Sequence, residues 1–310
     1  MVQNGILTAT GTAFVAQSGT VSAVLAGTQA LVKSGTGSLT LSGVNSYTGG
    51  TTVSAGSLLL FGGDNRLSIL GDITTSGGVL DLGGNSQITI GTITFGGGVV
   101  QNGTLMGTGS TYVVQSGTVS AEIIGQQGVF KVGTGTASLS GVNTYVGGTT
   151  IFDGTLQLVG GDDRLSTSGS IKTNGGVLDL GGNSQSTSGA ITFAGGVVQN
   201  GTLSASGTAF AAQSGTVSAV LSGVLGLVKS GAGAVTLSGV NAYTGGTRVD
   251  SGSLVLSGGD DRLSLSGSIT TTGGVLELGG NRQSTSGAIT FAGGVVQNGT
   301  LSASGTAFAA

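Results

Sequence analysis

The amino-acid sequence predicts an all-β protein, a right-handed parallel β-helix (β-solenoid), and three observations carry that prediction. The chain repeats every 98 residues: Tyr47, Tyr145 and Tyr243 keep that interval, as do Lys33, Lys131 and Lys229, Arg66, Arg164 and Arg262, and Asn4, Asn102, Asn200 and Asn298. A fixed period marks a repeat architecture, in which each unit packs only on its neighbours. Within each unit, short apolar runs alternate with period two, as in Leu276-Glu277-Leu278 and Val235-Thr236-Leu237, which sends alternate side chains to opposite faces of a strand. Gly is abundant, at 66 residues, and Pro is absent. Gly every few residues excludes helices and suits sharp corners, and interior strands cannot spare the N–H that Pro lacks.

The third unit divides into five similar pieces that open at Gly195, Ser214, Ala232, Gly252 and Gly273, with lengths of 19, 18, 20, 21 and 20 residues. Each starts on a small residue, runs through a short apolar stretch and returns to Gly. A coil of about 20 residues has room for about three short strands at the usual rise per residue. Five coils then make one 98-residue repeat. The whole chain should hold close to sixteen coils, about 75 Å at the inter-strand spacing. Parallel crossovers favour the right hand. The expected organisation is one continuous solenoid over 1–310, with repeats 1–98, 99–196 and 197–294 and a partial repeat 295–310. A β-sandwich would need many hairpin turns, and Asn-Gly occurs once per repeat.

Composition excludes several functions. The formal net charge is −3 and only 7% of residues are charged, so no basic surface for nucleic acid is expected. Cys and His are both absent, which removes disulfides, thiolate metal sites and the commonest general base. No uncharged apolar run approaches the length of a transmembrane helix. The N-terminus lacks the basic start and apolar core of a signal peptide. Met1 stands where the other copies carry Val99, Val197 and Val295, so the chain is expected to be a piece of a longer array.

The stretch 227–256 reads LVKSGAGAVTLSGVNAYTGGTRVDSGSLVL, and it recurs at 31–60 and 130–159. It resembles the passenger-associated transport repeat, also called the autotransporter-associated β-strand repeat. Leu227, Lys229, Gly231, Gly233, Val235, Leu237, Gly239, Asn241, Tyr243, Gly245, Gly246, Thr247, Gly252 and Leu254 follow the family pattern in order. The second copy departs from it at Val132 and Leu139. The resemblance implies a bacterial protein exported by the type V route, a right-handed β-helical passenger, and a location outside the cell or on its surface. It supplies no catalytic residue.

Few residues carry recognisable chemistry. Asp64-Asn65-Arg66, Asp162-Asp163-Arg164 and Asp260-Asp261-Arg262 follow Gly-Gly. They read as solvated corners with an Asp–Arg pair rather than as calcium sites, because Arg opposes a cation. Asp81, Asp179 and Glu277 read as isolated outward carboxylates. Five coils separate them, about 24 Å, too far for a glycosidase pair. Tyr47, Tyr145 and Tyr243 are expected to fill a corner, and Lys33, Lys131 and Lys229 to be exposed strand-end charges that deter edge pairing. No catalytic, cofactor-binding or metal-binding residue is assigned, and no cofactor. The reading that follows is a non-enzymatic extracellular shaft or fibre that spaces or forms filaments. An adhesin or carbohydrate-binding passenger is the alternative. The expected partner is the chain itself, by covalent continuation of the array or head-to-tail association, with surface glycans as the adhesin's ligands.

Overall fold

A computed structural model describes residues 1–305; the end of the partial repeat, 306–310, lies outside the described residues. The chain is all-β, a parallel β-solenoid of about 15 turns, against the close to sixteen coils expected. No helix among the described residues is long and apolar enough to cross a membrane. The described residues divide into two compact units. One is Met1–Gly148 with Arg164–Ser166, and the other is Thr149–Asp163 with Thr167 and the residues after it.

In the first unit, one face of the solenoid is a ladder of parallel strands in the register Phe14, Leu31, Thr51, Ile73, Ile93, Tyr112, Val129. A second face joins Gly19–Val21, Ser38–Leu41 and Ser57–Leu60. A third face carries Ile6–Ala9 on Val24–Gly27 and, further along, Thr104–Met106 on Glu122–Ile124. Two long strands, Ile73–Thr89 and Ile93–Gly107, run through all three faces. In the second unit the same first-face ladder runs Phe210, Leu227, Thr247, Ile269, Ile289. From Thr192 onward its steps are 19, 17, 20, 22 and 20 residues. The pieces cut from the sequence differ from these by at most one residue. The 22-residue coil is the one that holds Gly-Gly-Asp-Asp-Arg, so the extra length goes into that corner.

Burial follows the period-two phase. Leu31 and Lys33 point in and Val32 out; Val235 and Leu237 point in and Thr236 out. Leu237, Leu256 and Leu278 are buried, as expected, and Glu277 lies on the outer side. The inward aliphatics stack coil on coil into a continuous core in each unit, and their removal from water is the main stabilising term. The Asn-Gly pairs do not make hairpins. Asn102 and Asn200 take left-handed backbone (φ 56° and 57°) at corners between parallel strands, a conformation Asn tolerates better than most residues. Gly246 has φ 88°, and a Cβ there would lie 2.8 Å from the Ser268 carbonyl oxygen, so this corner requires Gly.

The phase makes a test. Leu278→Asp places an unpaired carboxylate in the core and is expected to lower the midpoint of thermal unfolding steeply. Glu277→Gln, on the same strand, should shift it little. The reverse ranking in melting curves would show that the strand phase is inverted.

Candidate functional site

Among the described residues, the Lys, Asn, Gln, Tyr, Asp and Glu side chains that recur once per repeat bond the solenoid to itself, whereas the buried hydroxyls of Thr75, Thr173 and Thr271 have no hydrogen-bond partner. Lys33 and Lys229 are fully buried, which corrects the expectation of exposed charges. Alternation from Leu31 and Leu227 sends these side chains inward at the last residue of the strand, with the alkyl stem in the core. The ammonium of Lys33 donates to the carbonyls of Ser34, Gly35 and Ala55 at 2.8–2.9 Å. Lys229 donates likewise to Ser230, Gly231 and Ser251, each at 2.9 Å. Three N–H donors thus meet three main-chain acceptors across two coils, the full donor capacity of an ammonium. Lys131 is buried in the same way and donates to Val132 and Gly133. The glycines of the motif belong to this cradle. Gly56 has φ 63°, and a Cβ on it would lie 2.4 Å from the Gly37 carbonyl oxygen and 2.6 Å from Nζ of Lys33. Burial lowers the pKa of Lys33 and of Lys229.

The motif Asn is the second tie. On the third face no strand forms at 43–47, 65–69, 239–243 or 261–265, yet the chain there must still bond to its neighbours. Asn45 Oδ1 accepts from the Leu25 amide (2.7 Å) and its Nδ2 donates to the Arg66 carbonyl (2.6 Å). The Leu67 amide donates in turn to Gln87 Oε1 (2.8 Å). In the later copy, Asn241 bridges Leu221 to Arg262, and Gln283 accepts from Leu263. Asn143 bridges Ile123 to Arg164. A primary amide presents one acceptor and two donors, as a peptide unit presents one of each, so these side chains continue the ladder where main chain cannot. The buried Gln87, Gln185 and Gln283 carry one signal in the sequence, recurrence at the repeat interval in the phase of apolar neighbours.

Tyr47, Tyr145 and Tyr243 are buried, as expected. The hydroxyls of Tyr47 and Tyr243 pair with Thr51 and Thr247 Oγ1 at 2.5 and 2.6 Å. Burial pushes both phenols up to about 12, and Tyr112 as well.

The two carboxylate sets also face their own coils. Asp162 Oδ1 accepts from the Ser184 amide (2.8 Å) and Asp163 Oδ1 from the Ser186 amide (2.7 Å), both one coil on. Asp260 and Asp261 do the same with Arg282 and Ser284. Arg66 and Arg262 donate to the carbonyls of Gly62 and Gly258 in their own loop. At the corners of Arg66 and Arg262 the expected Asp–Arg pair is therefore replaced by carboxylate–amide bonds, Asp64 Oδ1 accepting from the Ser86 amide (2.8 Å) in the first of them, and these satisfy otherwise unpaired N–H groups. Asp81, expected to stand alone, accepts from Gly83 in its own corner and from Gln101 and Asn102 of the next coil at 2.9–3.0 Å. Asp179 repeats this with Gly181, Gln199 and Asn200. Glu277 accepts from Gln297, Gly279 and Asn298. These bonds, that from Gln297 foremost, hold its carboxyl below the usual range. Among the described residues, no three Asp, Glu, His or Cys side chains converge where a metal ion could be held.

The family comparison agrees with this geometry. The model of the passenger-associated-transport repeat matches residues 31–60, 129–158 and 227–256, the segments that hold the Lys cradle, the Asn bridge and the Tyr–Thr pair. No curated protein and no solved structure matches the chain.

Two measurements test these ties. Asn241→Ala leaves the Leu221 amide and the Arg262 carbonyl unpaired and should cost about 2–4 kcal/mol in urea unfolding; a loss within error of zero would remove the Asn from the ladder. The pH dependence has two signs. The lysine pKa is lowered on folding, so the unfolded chain holds more protons and stability rises with pH until about pH 10.4, where lysine deprotonates in the unfolded chain. The tyrosine pKa is raised, so its contribution is intact below about pH 10 and is lost as pH climbs toward about 12. Unfolding midpoints across the alkaline range should therefore climb and then fall, and a flat profile would contradict burial of both groups. The chain is a β-solenoid protein in which one segment of each 98-residue unit matches the passenger-associated-transport repeat.

Proposed function

We propose that this chain is a structural, non-enzymatic part of an exported bacterial protein, a β-helical shaft that holds other parts away from the cell surface. The observation that carries the reading is the fate of the once-per-repeat polar groups. Lys, Asn, Gln, Asp and Glu recur as an active site would not, and each bonds the next coil or its own corner. A catalytic carboxylate or amine needs free valence toward a substrate, whereas the Lys33 and Lys229 ammoniums spend all three donors within the fold and the Asp and Glu carboxylates accept N–H groups of their own or the next coil. The passenger-associated-transport repeat supports export to the cell surface or the extracellular space.

An adhesin with a glycan ligand is the competing reading, and the two separate in one experiment. The purified chain is applied to a glycan array. The shaft reading expects no defined glycan specificity. Saturable binding to a defined set of glycans would replace the shaft with the adhesin.

A further inference from the structure

The three repeats differ on the outer side of the third face. In the first unit, Ile88, Met106 and Ile124 lie opposite one another on successive parallel strands. Their chain neighbours Gln87, Leu105 and Ile123 are buried, so by alternation these three point outward. Beside them, the Ile90 amide donates to the Ile69 carbonyl (2.9 Å), which sets Ile69 and Ile90 next to each other, and Leu70 follows. Ile69, Leu70 and Ile90 are 46, 51 and 54% exposed. The six residues form one apolar stripe. At the positions 98 residues on stand Thr167, Ser168, Ser186, Ser188, Ser204 and Ser222. At 196 residues on stand Leu265, Ser266, Ser284, Ser286 and Ser302, and 98 residues before Met106 and Ile124 stand Thr8 and Ala26. The same fold is therefore built with hydroxyl side chains at these positions, and the solenoid has no need of the apolar ones.

We propose that this stripe is a lateral docking surface for a second copy of the chain, which binds side by side with its own stripe turned inward. Three features favour that occupant. The stripe contains no charged residue, and a two-fold interface sets each patch against its own copy, where like charges would repel. Its Ile88, Met106 and Ile124 stand on paired parallel strands whose rows repeat at the strand spacing, so two such columns can interdigitate as packed sheets do. A column of Ser86, Thr104 and Glu122 runs beside it as the polar rim such a patch needs. No Lys or Arg lies in the stripe or in that column, which disfavours a membrane surface with anionic headgroups. An exposed apolar patch of this kind covers about 300–600 Å². Two of them bury less than a stable interface, which needs about 1,200 Å² or more, so the pair should dissociate on dilution. The full stripe occurs once in the chain, which closes the assembly at two copies.

Sedimentation of the 310-residue chain, over a dilution series from high micromolar to nanomolar, tests this. Wild type should pass from dimer to monomer along the series. The triple variant Ile88→Ser, Met106→Ser, Ile124→Ser installs residues the fold already accepts at 186, 204 and 222. It should keep the wild-type circular dichroism spectrum and remain monomeric throughout. The reciprocal variant Ser186→Ile, Ser204→Met, Ser222→Ile gives each chain a second column of three apolar residues and should carry assembly beyond the dimer. A wild-type chain that is monomeric at the highest concentration overturns the proposal, and apolar beads or vesicles that still capture it would assign the stripe to another occupant. A folded serine variant that dimerises as tightly as wild type also overturns it.

Discussion

Each coil must have its backbone amides and carbonyls taken up by the coils above and below, and the rest of the structure answers to that requirement. Unpaired main-chain groups in the interior cost as much as lost hydrogen bonds. On the first two faces, parallel strands meet the requirement directly. On the third face the chain departs from strand geometry at 43–47 and 65–69, and there side chains take over. Asn45 and Gln87 stand in for peptide units, and Lys33 takes up three corner carbonyls. The polar residues of the interior are thus a consequence of the irregular coils.

The motif that marks the repeat becomes intelligible as one physical cluster. Its Lys, its two spaced glycines and the glycine about twenty residues later form the ammonium cradle. Its Asn carries the ladder through the strandless segment, and its Tyr closes the adjoining corner on Thr. An ammonium in the core is tolerable only because all three N–H groups are bonded, since burying an unpaired charge costs far more. With the chemistry directed inward, the outer faces are free to differ between repeats, as the contrast of Ile88 with Ser186 shows.

Much of the fold was legible in the sequence. Period, coil lengths to within one residue and the inward phase of Leu237, Leu256 and Leu278 all follow from spacing and alternation. The polar interior was harder to read. Alternation from Leu31 points Lys33 inward, but the usual behaviour of lysine argues for the surface, and only the three carbonyls converging from two coils reverse that preference. Asp81 looked isolated because its like neighbours lie five coils away; its actual partners, Gln101 and Asn102, are of another residue type one coil on. The Asp–Arg corners of Arg66 and Arg262 misled for a related reason, as proximity in sequence suggested a pair while the unpaired amides of the next coil compete for the same carboxylates.

The central claim, that side-chain amides complete the ladder, is tested most directly by native-state hydrogen exchange at the Leu25, Ile123 and Leu221 amides, which donate to Asn45, Asn143 and Asn241. Strand amides and these three should exchange with similar protection, because both open only when coils separate. Exchange at the rate of exposed loops at these positions, with the flanking strands still protected, would contradict it.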